Sequence, residues 1–276
     1  MPMNGYAALT SLSAVILIVA GWLIPAPADK VVFLDVGQGD AILLQDETAQ
    51  VLIDGGPGMA VLRELAREMP WFDRKIEVVV NTHPDRDHLE GLLHVLERYE
   101  VGLVLMPEVR HDSQLYAAWL KLLEEKGVPV RFARAGQGLK AGDLEIAVLG
   151  PMPDLVSRKT NDASVITRVD FGEMSWLLTG DAEKKVENAL AGAYSDVLDA
   201  DILKAGHHGS NSSTHAVLIQ AATPAAAVIS VGENSYGHPH PDVLARLAGR
   251  HVWRTDEDGS VRFVKVGDQW LLKTRK

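Results

Sequence analysis

Apolar residues in this chain follow two rhythms. Short runs dense in Val, Ile and Leu, closed by glycine, proline or an acid, read as buried strands. In the first half these are VVFLDV (31–36), AILLQ (41–45), QVLID (50–54), residues 76–82, VGLVLM (101–106), VPVRFA (128–133) and GDLEIAVLG (142–150). In the second they are SVITRVDF (164–171), SWLLTGD (175–181), DILKAGHH (201–208) and AAAVISVG (225–232). Residues 252–255, 260–266 and 269–273 close the chain as strands, with Asp258-Gly259 as a hairpin turn. Between these runs, apolar spacing of three and four predicts helices over 59–69, 89–99, roughly 113–126, 182–191, 214–222 and 241–248. Each half has sheet first and helices outside, so two sheets face each other between helix layers. In such a fold the loops at one sheet edge carry the chemistry.

One stretch follows neither rhythm. Residues 1–28 contain no charged side chain, and Ala7 to Ile24 is apolar or small before Pro25 and Pro27. Eighteen such residues reach the lower limit for crossing a bilayer. The expectation is an apolar N-terminal helix over 1–29 that anchors the chain in a membrane, followed by one domain over 30–276. A cleaved signal peptide fits Ala26-Pro27-Ala28, but no Lys or Arg precedes the apolar run. A buried core helix would show a polar face, and none is visible.

Composition narrows the chemistry. The hydrophobic share of 47% supports a large core, and a net charge of -10 supplies no global field for nucleic acid. The absence of cysteine excludes disulfides, zinc-thiolate sites and thiol nucleophiles. What remains is imidazole and carboxylate. The β-branched run Val78-Val79-Val80 leads directly into Asn81-Thr82-His83-Pro84-Asp85-Arg86-Asp87-His88. Four potential ligands this close call for a cation, and imidazole with carboxylate suits a divalent transition metal. A solvated acidic turn at a helix start is the plainer reading. Asp54 ends another apolar strand before Gly-Gly, where an acid orients ligands from behind. Asp181 ends SWLLTG and is placed to bridge two cations. His207 and His208 end DILKAG; the first is read as a ligand, the second as a hydrogen-bond partner or substrate contact.

The expected metal set is therefore His83, Asp85, Asp87, His88, Asp181 and His207, enough for two divalent cations sharing Asp181. Oxygen-rich ligation without sulfur favours Mn²⁺ or Mg²⁺, with Zn²⁺ also compatible. Ser210, Ser212 and Ser213 precede a helix and are expected either to meet a phosphate or to cap that helix. His238, in Ser-Tyr-Gly-His-Pro, is expected to contact the phosphate or protonate the leaving oxygen. Asp40 is a possible acid behind the ligands. Asp87, Asp181 and His238 are the expected catalytic residues. Lys204 and Lys159 are candidates for a nucleic-acid backbone, although no basic stripe with interleaved aromatics appears.

Asp54-Gly-Gly, His83-x-Asp-x-Asp-His88, Thr179-Gly-Asp181 and His207-His208-Gly-Ser resemble the metallo-β-lactamase superfamily. FLDVGQGDAILL, LIDGG, THPDRDHLEGL, NDASVI, LLTGD, LKAGHHGSNSS and SYGHPHP, in that order, resemble the C-terminal hydrolase-like domain of ComEC-type DNA-uptake membrane proteins. The resemblance implies an αββα four-layer sandwich, a dimetal site and a DNase outside the cytoplasmic membrane. Its substrate would be DNA, as a single strand, and its task degradation of the strand that is not imported, beside the channel part of the uptake apparatus. Two positions depart from the wider superfamily. Asp85 stands for the second histidine of His-x-His-x-Asp-His, and Asn161 stands where a histidine often precedes Asp181. Both leave one cation position ligand-poor. A phosphodiesterase for an extracellular small molecule or surface polymer, and a non-catalytic DNA-guiding module, are the competing expectations.

Overall fold

A computed structural model describes residues 28–47, 49–152, 155 and 159–276. The N-terminal apolar helix expected over 1–29 lies outside the described residues, apart from Ala28 and Asp29. Among the described residues no helix is long and apolar enough to cross a membrane.

Fifteen strands among the described residues form two sheets. Those of the first half are β1 (Lys30–Phe33), β2 (Ile42–Gln45), β3 (Gln50–Ile53), β4 (Lys75–Val80), β5 (Glu100–Met106), β6 (Val130–Phe132), β7 (Gly138–Ala141) and β8 (Leu144–Val148). Then come β9 (Thr167–Phe171), β10 (Met174–Leu178), β11 (Ile202–Lys204), β12 (Ala226–Ile229), β13 (His251–Arg254), β14 (Ser260–Val266) and β15 (Gln269–Arg275). The first sheet runs β15-β14-β1-β2-β3-β4-β5-β6 and the second β13-β12-β11-β10-β9-β8-β7. Helices α1 (Ala60–Glu68), α2 (Arg86–Arg98) and α3 (Gln114–Lys126) pack on the first sheet. Helices α4 (Lys184–Ala193), α5 (Ala216–Ala222) and α6 (Pro241–Arg246) pack on the second, and the short α7 (Thr255–Asp258) links the sheets.

This is the expected αββα sandwich, and the strand sequences account for it. Val31 and Phe33 point between the sheets while Val32 and Leu34 point at the helices, and all four are buried. A strand covered on both faces needs an unbroken apolar run, which these segments have. Between the sheets, Trp176, Phe263 and Trp270 interlock edge-to-face, with ring centroids 5.2–6.0 Å apart.

Three local expectations differ. Asp258-Gly259 is no hairpin turn: β13 belongs to the second sheet and β14 to the first, so the segment crosses between layers. The hairpin joins β14 to β15 at Gly267-Asp268, Gly267 having φ 61°. β7, with sequence GLKA, lacks an apolar run because it is an outer strand, and the sequence did not suggest it. β11 stops at Lys204, and His207 and His208 sit in a turn with φ of 48° and 54°.

The register brings the chemistry to one edge. Phe33, Ile42, Ile53 and Val80 lie level in the first sheet. Leu178, Lys204 and Val228 lie level in the second. Parallel strands β3-β4 and β10-β11-β12 therefore release their C-terminal loops at the same edge, where open α/β sheets bind ligands.

Candidate metal centre

Asp54 follows β3 in the left-handed region, φ 59°. Its loop lies so close to α2 that a Cβ on Gly91 would come 2.0 Å from the Gly55 carbonyl oxygen. Glycine at both places lets Gly55 N–H reach His88 O at 2.8 Å and Gly91 N–H reach Gly56 O at 2.9 Å. The start of α2, which carries Asp87 and His88, is thereby clamped over Asp54.

Asp54 then sets the chemistry of two rings. Its Oδ2 accepts from the Thr82 hydroxyl at 2.6 Å and from His88 Nδ1 at 2.8 Å. With its proton on Asp54, the Thr82 hydroxyl accepts from His83 Nδ1 at 3.0 Å. Both rings thus carry hydrogen on Nδ1 and turn an Nε2 lone pair inward, a tautomer assigned from the hydrogen-bond pattern. His208 Nδ1 donates to the Ser230 carbonyl at 3.0 Å, which turns its Nε2 inward as well. His207 is less defined: its Nδ1 lies 3.3 Å from Ser212 Oγ and 3.4 Å from Asn161 Nδ2.

All four rings converge on one oxygen. Asp181 Oδ2 lies 3.8 Å from His83 Nε2, 3.4 Å from His88 Nε2, 3.8 Å from His207 Nε2 and 3.5 Å from His208 Nε2. Asp85 Oδ2 is 3.7 Å from His83 Nε2, and Asp87 Oδ2 is 3.2 Å from His208 Nε2. His83, His88, His208 and Asp181 are buried, and three Nε2 atoms and Asp181 Oδ1 have no hydrogen-bond partner. Lone pairs aimed at a carboxylate repel it unless a cation or proton lies between them, so these residues fit divalent cations. The six expected ligands, from the loops after β4, β10 and β11, are brought together, and His208, expected only as a hydrogen-bond partner or substrate contact, turns its Nε2 to the same Asp181 oxygen.

Electrostatics gives the same picture. Burial opposes charge on His88, but Asp181 and Asp54 outweigh it and raise its pKa well above the usual imidazole value. Burial likewise opposes charge on His208, yet Asp181, Asp40 and Asp87 lift it to about 9. Burial and the neighbouring His88 push His83 down to about 3. Burial disfavours the Asp181 carboxylate, but His208, His88 and Lys204 hold it well below the ordinary range. The pocket demands positive charge, and two divalent cations would satisfy that demand.

One donor atom from each of Asp40, His88, Asp181 and His208 falls within 4.8 Å of the others. Asp40 nevertheless faces the backs of the rings, 3.8 Å from His88 Nδ1 and 3.5 Å from His208 Nδ1. Its other partner is Lys204, whose ammonium also donates to Gly180 O at 2.8 Å and lies 3.6 Å from Asp181 Oδ1. Asp40 therefore supports the rings, as Asp54 does. Lys204 is fully buried and cannot meet a nucleic-acid backbone. Its signal was a lone cation inside an apolar strand, which burial forces into a pair.

The serine loop also departs from expectation. Ser213 is buried, and its hydroxyl donates to Ala182 O at 2.8 Å. The backbone N–H groups of Thr214 and His215, at the start of α5, donate to the buried carboxylate of Glu187. That helix start is already filled, so no phosphate is bound there. Ser210 and Ser212 remain on the rim, 3.0 Å apart. His238 stands over His207 with ring centroids 5.7 Å apart and a buried, unpartnered Nδ1. Burial, His207 and His208 lower its pKa, so it is neutral at pH 7. Lys159 bridges Glu183 at 3.0 Å beside the site.

Comparison with known proteins agrees with this geometry. The chain is 33% identical over 257 residues to ComE operon protein 3 of Bacillus subtilis, covering 85% of this chain and 33% of that protein. It is 28% identical over 263 residues to Competence protein ComA of Neisseria gonorrhoeae, covering 90% of this chain and 35% of that one. The chain thus spans about a third of the length of these relatives. Among solved structures, the metallo-beta-lactamase fold protein YhfI from Bacillus subtilis shares the fold with a TM-score of 0.60 at 14% identity, covering 86% of this chain and 99% of that one. Residues 34–233 match the Metallo-beta-lactamase superfamily, and the chain belongs to it.

Proposed function

We propose that this chain is a metal-dependent phosphodiester hydrolase that cleaves DNA, degrading the strand that is not imported during DNA uptake. The convergence of four histidine Nε2 atoms on Asp181 Oδ2, flanked by Asp85 and Asp87, carries the reading. His83 and Asp85 would hold one divalent cation, and Asp87, His88 and His208 a second, with Asp181 between them and His207 in reach on the rim. Such a pair, Mn²⁺ by the oxygen-rich donor set, would supply Lewis-acid activation of water and neutralise phosphate charge.

The chain's own residues do the rest. Asp54 and Asp40 fix the rings from behind. Neutral His238 offers a hydrogen bond to a phosphate oxygen at the rim and is placed to assist the leaving oxygen. Next to His207, Ser212 opens into a cleft of about 500 Å³ that also includes Lys184, Lys185, Asn188, His215 and Glu183, whose charge is met by Lys159. On a chain of net charge -10, two lysines beside the site favour a polyanion over a neutral substrate. The relative named a competence protein supports DNA as that polyanion and a place in DNA uptake. We assign the hydrolase domain to the extracytoplasmic face of the cell membrane, tethered by the apolar N-terminal segment and served by a channel.

The test uses the full chain. Metal content is measured, and linear single- and double-stranded DNA is added with Mn²⁺, Mg²⁺ or Zn²⁺, beside Asp181→Ala. DNA cleavage that is lost in the variant is the expected result. Turnover of a chromogenic phosphodiester without DNA cleavage would replace this reading by a small-molecule phosphodiesterase. Neither metal nor turnover would leave a DNA-guiding module.

A further inference from the structure

The end of the first sheet opposite the metal centre carries an unusual turn. Lys30, Gln50 and Lys75 begin β1, β3 and β4 at that end, while Phe33, Ile53 and Val80 finish them at the metal edge. Between α1 and β4 the chain turns through Trp71 and Phe72. Their side chains stand out in solvent, 82% and 53% exposed, and pack edge-to-face with centroids 5.7 Å apart. The turn is firmly held. Asp73 N–H donates to Pro70 O at 2.9 Å, Gln50 Nε2 donates to Asp73 Oδ2 at 2.9 Å, and Lys75 N–H donates to Asp73 Oδ1 at 3.2 Å. Two large aromatics left mostly in solvent add little to the core of the domain that bears them, and such patches mark contact surfaces.

The chain enters the domain at the same place. Asp29 O accepts from Lys265 N–H at 2.9 Å, and the Lys30 ammonium bonds Glu68, the last residue of α1, three residues before Trp71. The uncharged stretch from Ala7 to Ile24 ends six residues before Lys30. At about 3.5 Å per residue, Lys30 lies within about 20 Å of its end. A bilayer that receives that apolar stretch would lie within reach of the Trp71–Phe72 turn. Most charges nearby are paired, Lys30 and Arg262 with Glu68, Lys75 with Glu77 and Lys265 with Asp29, while the exposed Arg74 stands 5.8 Å over the Tyr99 ring.

We propose that the Trp71–Phe72 turn is a lipid-docking tip. It sits in the interfacial zone of the bilayer that the Ala7–Ile24 stretch enters, where tryptophan in particular is favoured. This second contact fixes the tilt of the domain and turns the metal edge away from the membrane. The contact depends chiefly on apolar insertion of the two rings. The proposal rests on the membrane tether proposed above but on no residue of the metal centre, so it stands apart from the hydrolytic reading.

The chain has no cysteine, so one introduced cysteine is a unique probe site. Phe72→Cys in the full chain is labelled with an environment-sensitive fluorophore and reconstituted into phosphatidylcholine vesicles. Tyr236→Cys, exposed at the metal edge beside His238, is the opposite probe. The expected result is blue-shifted emission at position 72, quenched by bromolipid and shielded from iodide, with position 236 open to iodide. Trp71→Cys repeats the reading from the adjacent side chain should Phe72→Cys misfold. Equal iodide access at both ends, failure of the chain to float with vesicles, or a blue shift that follows protein concentration without lipid would each overturn the proposal. The last outcome would assign the turn to a second copy of the chain.

Discussion

The two flanks of Asp181 are built differently. On one side His88 and His208 are sealed in and backed by Asp54, Asp40, Lys204 and the Ser230 carbonyl. On the other, Asp85 and His207 are partly open, with side chains 35% and 27% exposed; Asp87, the carboxylate beside His208, is as open as Asp85, so the difference between the flanks lies in their histidines. His83 is buried there, but its Nδ1 rests on the Thr82 hydroxyl and reaches Asp54 only through it. His207 has only Ser212 and Asn161 at hydrogen-bond distance from its Nδ1. Outer partners fix ring orientation and raise ligand basicity. The sealed flank is therefore preorganised, and the open flank gives up rigidity for access. Asp85 and Asn161, the two departures from the superfamily pattern, both fall on the open flank.

Asp181 belongs to both flanks, so Asp181→Ala gives the largest effect. Metal affinity and turnover fall by at least about 100-fold, beyond the range for an outer partner. Titration calorimetry and DNA cleavage read this, and loss of only one of two bound cations would mean that Asp181 serves a single flank. Asp54→Asn comes next. It keeps the shape but removes the acceptor shared by His88 and Thr82, so metal affinity falls about 10–100-fold. Thr82→Val reaches His83 alone and costs less. Equal losses in the two variants would break the asymmetry.

A pH effect of similar or smaller size sits under the loop that carries His207. Burial raises Glu187 to about 7, against the pull of the His215 and Thr214 N–H groups and Arg246. Between the ordinary glutamate value and about pH 7 the folded chain keeps a proton that the unfolded chain releases. Stability is full at the acid end of that window and falls as pH rises through it, by an amount on the order of 2–3 kcal/mol. Urea unfolding at pH 5 and pH 7.5 measures the slope, and Glu187→Gln flattens it. The smallest effect is expected from His207→Ala, about tenfold or less in metal affinity, against a larger loss for His208→Ala. The reverse order would place the tighter cation on the open flank.

What could be read from the chain alone follows a pattern. Asp54, the His83–His88 loop and Asp181 each close an apolar run, and such a strand end is a local signal. The sandwich was legible for a similar reason, since strands covered on both faces need continuous apolar runs such as Val78-Val79-Val80. Lys204 was misread because its partners, Asp40 and Asp181, are remote in sequence. Ser213 and the start of α5 looked open to phosphate because nothing local shows that Glu187 fills them. Asp258-Gly259 has hairpin chemistry, yet the layers it joins are decided by which strand pairs with β14.

The sequence by itself determined most of the elements, the superfamily and the candidate donors, because periodicity and residue type are properties of neighbours along the chain. Only the tertiary structure decided which nitrogen each histidine turns inward, which carboxylates stand behind the rings, and how open each flank is. Those outcomes depend on hydrogen bonds between groups that are remote in sequence, such as His88 to Asp54 and His208 to Ser230, which exist only once neighbouring strands pair within each sheet, and on contacts such as His88 to Asp181 that form where the two sheets meet.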